Sequence, residues 1–168
     1  MLETDRLLLR PHIVEDFPAC FAMWQEPEVV QYITGKPATE DEAWFKLLRN
    51  IGGWQALGYG LFAMIERETG SFVGEIGFSD FRRGLGDDFD PFHEAAWVLA
   101  RAGQNRGYAT EAGHAVHDWL DEQFHPQKTV CIISPGNLPS IQLASKLGYK
   151  PFGDANYKDD VVTKFERR

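Results

Sequence analysis

A chain of 168 residues can hold one full hydrophobic core and is too short for two ordinary domains, so a single domain over 1–168 is expected. Hydrophobic residues at 43% and aromatic residues at 13% exclude a disordered chain. A net charge of −8 argues against a dedicated nucleic-acid binder and suits cationic or amine-bearing partners. Cys20 and Cys131 lie far apart and imply no disulfide framework. The opening Met1–Arg6 is no signal peptide, and no apolar run reaches membrane-spanning length. A cytoplasmic protein without a membrane partner is the expectation.

In chain order, Arg6–Arg10 reads as a first strand ended by Pro11. Asp16 is placed to cap a helix that has Pro18 in its first turn and Phe17, Phe21 and Trp24 on one face. Thr39-Glu40-Asp41-Glu42 is a capping box, with Trp44, Leu47, Leu48 and Ile51 following on one face until Gly52-Gly53 stops the helix. Strands over 59–66 and 72–81 join through Glu68-Thr69-Gly70 as a hairpin. Arg82–Phe92, rich in Gly and Asp, reads as a surface loop. A strand over 93–100, a helix over 108–124, a strand over 128–134, a helix over 138–147 and two short strands near 149–153 and 161–166 complete the order. The class is α/β (α+β), one domain with a mixed central sheet of about seven strands and about four helices.

The most informative segment is Gln104-Asn105-Arg106-Gly107-Tyr108-Ala109, set between the apolar run Ala95–Ala100 and a helix with Ala109, Ala112, Val116, Trp119, Leu120 and Phe124 at helical spacing. A Gly-containing turn that opens a helix gathers several N–H groups at the positive end of the helix dipole, which suits a pyrophosphate. Gly107 allows close approach, and the small Ala109 keeps the first helical turn uncrowded. Alone the hexapeptide is a weak signal. It occurs beside Leu2-Glu3-Thr4-Asp5-Arg6-Leu7-Leu8-Leu9-Arg10-Pro11, the extension Thr110-Glu111-Ala112, Asn137-Leu138-Pro139-Ser140-Ile141 and Lys146-Leu147-Gly148-Tyr149. Together, over nearly the whole chain and in order, these resemble the GNAT superfamily of N-acetyltransferases. The similarity is to its RimJ/RimL-type, ribosomal-protein-alanine acetyltransferase-like branch.

The resemblance implies acetyl-CoA as donor; no metal is expected, because no third ligand stands out beside His114 and His117. In the family a bulged strand splays from its neighbour and the pantetheine arm lies in the resulting cleft. Glu94–Ala100 matches that strand, so the backbone around Trp97, Val98 and Leu99 is expected to pair with the pantetheine amides and polarise the thioester. One such donor is worth roughly 2.7–4 kcal/mol in other enzymes. Gln104, Asn105, Arg106, Gly107, Tyr108 and Ala109 would hold the pyrophosphate, and Asn137 would meet the cofactor near its pantetheine part.

Acetylating an amine needs a neutral nitrogen, attack on the thioester and a proton for the departing thiolate. An α-amino group, with pKa about 7.7–8.0, is partly neutral at physiological pH, whereas lysine, near 10.4, depends more on a base. Glu94, at a position where the family often carries Glu, is the first candidate base and Glu75 the second. A strand Glu is also commonly a solvated face residue. Many members carry a Tyr seven residues after the downstream Asn; here that position is Ala144. The ribosomal-protein branch has a Ser three residues after the Asn, matched by Ser140, which either reaches the thiol sulfur or stabilises the first turn of its helix. Tyr149 reads as packing against the sheet and Cys131 as core.

His114 and His117, with Glu111 and Asp118, faintly suggest a metal, but solvated helix histidines are far commoner. Trp24, Trp44 and Trp54 read either as core or as acceptor-pocket lining, and Asp87, Asp88 and Asp90 either as a solvated loop or as a lure for a cationic acceptor. The leading expectation is acetyl transfer to a primary amine, on a protein N-terminus or a small molecule, by a monomer or homodimer through direct transfer without a covalent enzyme intermediate. Two other classes stay open: a CoA-binding sensor or scaffold without catalysis, motivated by Ala144, and a nucleotide- or phosphopeptide-binding module.

Overall fold

A computed structural model describes residues 1–168. Its strands are β1 (Leu2–Glu3), β2 (Leu7–Pro11), β3 (Leu61–Glu66), β4 (Phe72–Ser79), β5 (His93–Leu99), β6 (Thr129–Ile133), β7 (Lys150–Tyr157) and β8 (Asp160–Arg167). Its helices are α1 (Phe17–Gln25), α2 (Pro27–Val30), α3 (Glu40–Leu57), α4 (Tyr108–Phe124) and α5 (Leu138–Lys146). The strands form one mixed sheet in the order β1-β2-β3-β4-β5-β6-β8-β7, in which only β5 and β6 run parallel.

The sheet separates two apolar clusters. Leu7, Leu9, Phe62, Ile76 and Phe78 pack with Ala112, Val116 and Leu120 of α4 and Leu143 and Leu147 of the α5 region. Met23, Trp24, Val29 and Val30 of α1 and α2 pack with Ala43 of α3, and Val98 of β5 rests against this second cluster. Side chains alternate across a strand, so β5 sends Trp97 and Leu99 to the first cluster and Glu94, Ala96 and Val98 to the face beneath α1–α3.

Several expected boundaries move. The sheet gains β1, whose Leu2 and Glu3 pair with Leu9 and Leu8, giving eight strands, and α2 brings the helices to five. Pro11 lies inside β2 opposite Phe62, since a terminal strand residue need not donate to the ladder. Asp16 does not cap α1 with its side chain. Its carboxylate is clamped by Arg10 at 2.6 and 2.7 Å and accepts from the Ile13 N–H at 2.9 Å.

The Thr39–Glu42 capping box forms as read. Gly52-Gly53 does not end α3: the helix runs on to Leu57 and stops at Gly58, whose φ of 76° is the left-handed cap that glycine tolerates. Each mid-helix glycine costs about 1 kcal/mol relative to alanine. That cost is met by Trp54, which packs edge-on against Phe62 and donates its indole N–H to the Leu61 carbonyl at 2.9 Å. The C-terminal pair, β7 and β8, is a long hairpin rather than two short strands.

Candidate active site

The splay in the sheet is explicit in the register. β5 pairs with β6 only at His93↔Thr129 and Glu94↔Val130; beyond Glu94 the two strands part, and β6 continues alone beside β8. The expected bulge in β5 is absent, because its register with β4 is unbroken from Ser79↔Glu94 to Gly74↔Leu99. The opening therefore comes from lost pairing with β6 and not from an extra residue against β4. A cleft of about 380 Å³ occupies the gap. It is lined by Trp97, Val98, Leu99, Gln104, Asn105, Gly107, Tyr108, Ala109, Asn137 and Ser140 among others.

At the head of the cleft, Gly107 (φ 79°) is the residue before α4, and Asn105 (φ 58°) also takes the left-handed conformation. The turn is braced from outside. Glu111, in the first turn of α4, accepts from Thr4 Oγ1 at 2.6 Å, from the Arg6 N–H at 2.9 Å and from Arg6 Nε at 2.7 Å. Arg6 also donates to the Arg106 carbonyl at 2.9 Å and lies over the Tyr108 ring. These contacts give the opening Thr4-Asp5-Arg6 segment its purpose. Arg106 does not line the cleft; its guanidinium meets Glu66 at 2.6 Å, and Glu66 also accepts from the Tyr108 hydroxyl. Tyr108 is buried, and Gln104 Nε2 holds the Leu99 carbonyl at 3.1 Å. The segment thus offers backbone N–H groups to the cleft while its charged side chains are spent on the scaffold.

On the far wall, Asn137 caps α5 by accepting from the Ser140 N–H at 3.2 Å, so the capping is done by Asn137 and not by the Ser140 hydroxyl. Ser140 Oγ accepts from Trp97 Nε1 at 3.2 Å, which fixes the hydroxyl at the cleft edge and leaves its own proton free to donate. Ala144 is fully buried. Tyr149 is buried as read, its hydroxyl lying 2.8 Å from both Thr129 Oγ1 and His117 Nε2. His117 is not a solvated helix residue: its other ring nitrogen lies 2.6 Å from the Gly113 carbonyl, and both nitrogens are taken. Burial lowers its pKa to about 4. Cys131 is core, fully enclosed.

The two candidate carboxylates share the face beneath α3. Glu75 sits opposite Val98 and Glu94 opposite Ser79, and the row between them is Gly77 opposite Ala96. That middle row carries almost no side chain, and both carboxylates are buried. Burial pushes both up to about 7. For Glu94 the Arg83 guanidinium, donating Nε to both oxygens at 2.7 and 2.8 Å, opposes the shift. For Glu75 the opposing groups are Arg49, Lys46 and the Asn50 amide, which donates at 3.2 Å.

Sequence reading missed His12. Buried beside Glu75, it brings Nε2 to 3.4 Å from Oε2, out of line for a hydrogen bond, and its Nδ1 lies 3.8 Å from Cys20 Sγ. Burial lowers its pKa to about 4, so it is neutral at pH 7. The imidazole thus has the Cys20 thiol at one ring nitrogen and the Glu75 carboxylate at the other. Trp24 is buried, and Trp54 is committed to the Leu61 carbonyl, so both belong to the core. In the acidic loop Asp88 pairs with Lys164 at 2.8 Å, while Asp90 accepts from the Gly86 N–H. No helix is long and apolar enough to cross a membrane.

Known proteins share this arrangement. A solved structure described as a GNAT-family acetyltransferase from Bordetella pertussis superposes with a TM-score of 0.89 at 36% identity, over 99% of this chain and 98% of that one. An uncharacterized N-acetyltransferase of Bacillus subtilis, YnaD, is 26% identical over 90% of this chain and 84% of its own length. AAC(6')-Ib, solved with ribostamycin and coenzyme A, shares the fold at a TM-score of 0.78 and 19% identity, over 97% of this chain and 93% of that one. Residues 6–150 match the family described as the acetyltransferase (GNAT) domain. With that match spanning most of the chain and the open β5–β6 gap leading into the α4 turn, the chain belongs to the GNAT acetyltransferase family.

Proposed function

We propose that this protein transfers an acetyl group from acetyl-CoA to a primary amine, on a protein N-terminus or a small molecule, and that it works within one folded domain. The observation that carries the reading is the continuity of one cleft, from unpaired β5 backbone at Trp97–Leu99 to the Gly107 turn of α4. A cleft of this size, with few polar groups converging on it, suits a cofactor arm. Backbone at Trp97, Val98 and Leu99 would pair with the pantetheine, the turn from Gln104 to Ala109 would hold the pyrophosphate, and Asn137 would meet the arm from the opposite wall. Acetyl-CoA, when bound, supplies the activated acyl group.

The chain's residues then have defined tasks. A carboxylate with pKa near 7 is half ionised at neutral pH and matched to accepting the proton of an ammonium acceptor, directly or through water. Glu94 and Glu75 both meet that requirement, on the sheet face beneath α3. The Ser140 hydroxyl, oriented by Trp97, is placed to donate a proton to the departing thiolate. This supports Ser140 in the task that Ala144 cannot perform. The sensor reading rests on Ala144 alone.

The test is thiol release from acetyl-CoA across a panel of amines and peptides, beside calorimetry with CoA. Turnover of one acceptor class supports the reading, and a Glu94→Gln or Glu75→Gln variant that loses most at neutral pH and least at high pH identifies the base. CoA binding with no turnover of any amine favours the sensor. Absence of CoA binding overturns both.

A further inference from the structure

Among the buried side-chain nitrogen and oxygen atoms, only His12 Nε2 has no hydrogen-bond partner. Buried polar groups in folded proteins are matched, so a single unmatched ring nitrogen calls for a reason. His12 follows β2, and its ring lies tilted against Phe72 with centroids 6.2 Å apart. Cys20 of α1 meets Nδ1 at 3.8 Å, and Glu75 of β4 faces Nε2 at 3.4 Å. Burial pushes the Cys20 thiol far up, so it keeps its proton and is the available donor at Nδ1. Asp16 Oδ2, 3.7 Å from Nδ1, is already taken by Arg10 and the Ile13 N–H. A donor at Nδ1 leaves the proton of the neutral ring on Nε2, the nitrogen that faces Glu75. Thiol and carboxylate thus sit at different ring nitrogens, which suits a proton-bearing bridge and not one shared metal ion.

The two candidate carboxylates differ in what they leave free. Both oxygens of Glu94 accept from Arg83 Nε, at 2.7 and 2.8 Å. Glu75 accepts only from the Asn50 amide, at 3.2 Å on Oε2, the oxygen that also faces His12. Its Oε1 accepts no hydrogen bond and is not fully enclosed, so it shares in the 4% exposure that the side chain keeps. A carboxylate held through one oxygen and open at the other is the form a proton acceptor needs.

We infer that His12 is a positioning residue for Glu75: its Nε2–H closes onto Oε2 when the carboxylate ionises and leaves Oε1 to take the acceptor's proton. This role rests on the acetyl-transfer reading and adds to it a support for one of the two carboxylates. Hydrogen bonds at proton-transfer sites are often long and poorly aligned before the complex forms, as this one is. No proton leaves the ring. One ammonium N–H bond breaks, its electron pair stays on nitrogen to attack the thioester, and the proton forms an O–H bond at Oε1. The Nε2–H contact slackens as Glu75 loses its charge. A neutral donor on the charged form opposes burial, which raises the carboxyl. The other groups facing Glu75 are Lys46, Arg49 and Asn50 of α3 and the Cys20 thiol, and those facing His12 are Arg10 and Asp16. The variants below alter none of them.

The experiment compares wild type with His12→Leu, His12→Gln and His12→Asn. The Glu75 carboxyl is titrated by infrared spectroscopy in the CoA-free protein, its band identified by loss in Glu75→Gln, beside the pH profile of kcat/KM. His12→Leu is expected to move the Glu75 midpoint and the rising limb of kcat/KM about one unit upward, roughly a tenfold loss of kcat/KM at pH 6. CoA affinity should stay unchanged. Gln places its amide nitrogen where Nε2 stood and should restore the profile; Asn places its amide at the Nδ1 position and should not. An unmoved midpoint in folded His12→Leu overturns the inference, and so do equal midpoints for the Gln and Asn variants, which carry the test where His12→Leu fails to fold. A rising limb that is lost in Glu94→Gln and kept in Glu75→Gln also overturns it. A midpoint that moves as expected in a protein that acetylates no amine keeps the His12–Glu75 pair and overturns the acetyl-transfer reading.

Discussion

The two sides of β5 are built on opposite principles. On the cofactor side the recognition elements are backbone: an unpaired strand edge and a left-handed turn opening α4, with nearby arginines tied off by Glu111 and Glu66. On the opposite face, proposed to meet the acceptor, the candidate groups are side chains: Glu75 of β4 and Glu94 of β5, buried and opposed by Arg49, Lys46 and Arg83. A ligand common to a family can be met by backbone that tolerates side-chain drift. A ligand particular to one protein has to be met by side chains.

The comparison can be broken from either side. The largest effect is expected from the turn: Gly107→Val forces a β-branched residue to φ 79° and brings new atoms toward Arg6 Nη2, which would lie 3.3 Å from an added Cβ. CoA affinity should fall at least tenfold by calorimetry while circular dichroism shows a folded protein. Unchanged affinity would mean that the turn does not hold the pyrophosphate.

Next comes the carboxylate chemistry. Removing the base by Glu94→Gln or Glu75→Gln should cost about 10²-fold in kcat at pH 7, within the range for general-base catalysis. Because the relevant pKa is about 7, wild-type kcat/KM should rise from pH 6 to pH 8, and the true base variant should flatten that rise. Ser140→Ala should cost less, around tenfold in kcat, and Trp97→Phe should reproduce part of that loss if orientation of the hydroxyl is what matters.

Stability sharpens the contrast further. Glu75 has its folded pKa raised from 4.5 to about 7, so the folded state binds the extra proton and wild-type stability falls as pH climbs through that window. Glu75→Gln lacks this loss. Urea unfolding should therefore show the variant gaining about 1–3 kcal/mol relative to wild type between pH 5 and pH 8, each pKa unit being worth about 1.4 kcal/mol. His12, with a pKa of about 4, stays neutral across that range and does not reverse the sign. The smallest effect is Gly52→Ala. Nothing lies within 4 Å of an added Cβ there and the backbone is helical, so a gain of about 0.5–1 kcal/mol is expected by thermal unfolding.

The sequence by itself determined much of the half proposed to hold the cofactor. The span of α4 from Tyr108 to Phe124, the α3 capping box and the β3–β4 hairpin were legible, because periodicity, capping and turn chemistry act over a few neighbouring residues; the cleft residues of β5 and the α4 turn came from the family resemblance, and the α2-side lining at Val29, Tyr32 and Ile33 was not read. Local rules failed where distant packing outweighed them. Gly52-Gly53 remained helical because Trp54 anchors the last turns of α3, and His117 was drawn inside by Tyr149 and the Gly113 carbonyl. Glu94 and Glu75 were named from the resemblance, but only the tertiary structure decided their surroundings. His12, Lys46, Glu75, Arg83 and Glu94 lie on five separate segments, and no spacing in the chain announces that they meet. Burial near pKa 7 and the absence of partners for Arg49 are properties of three-dimensional surroundings, since desolvation and charge pairing depend on distance in space rather than along the chain.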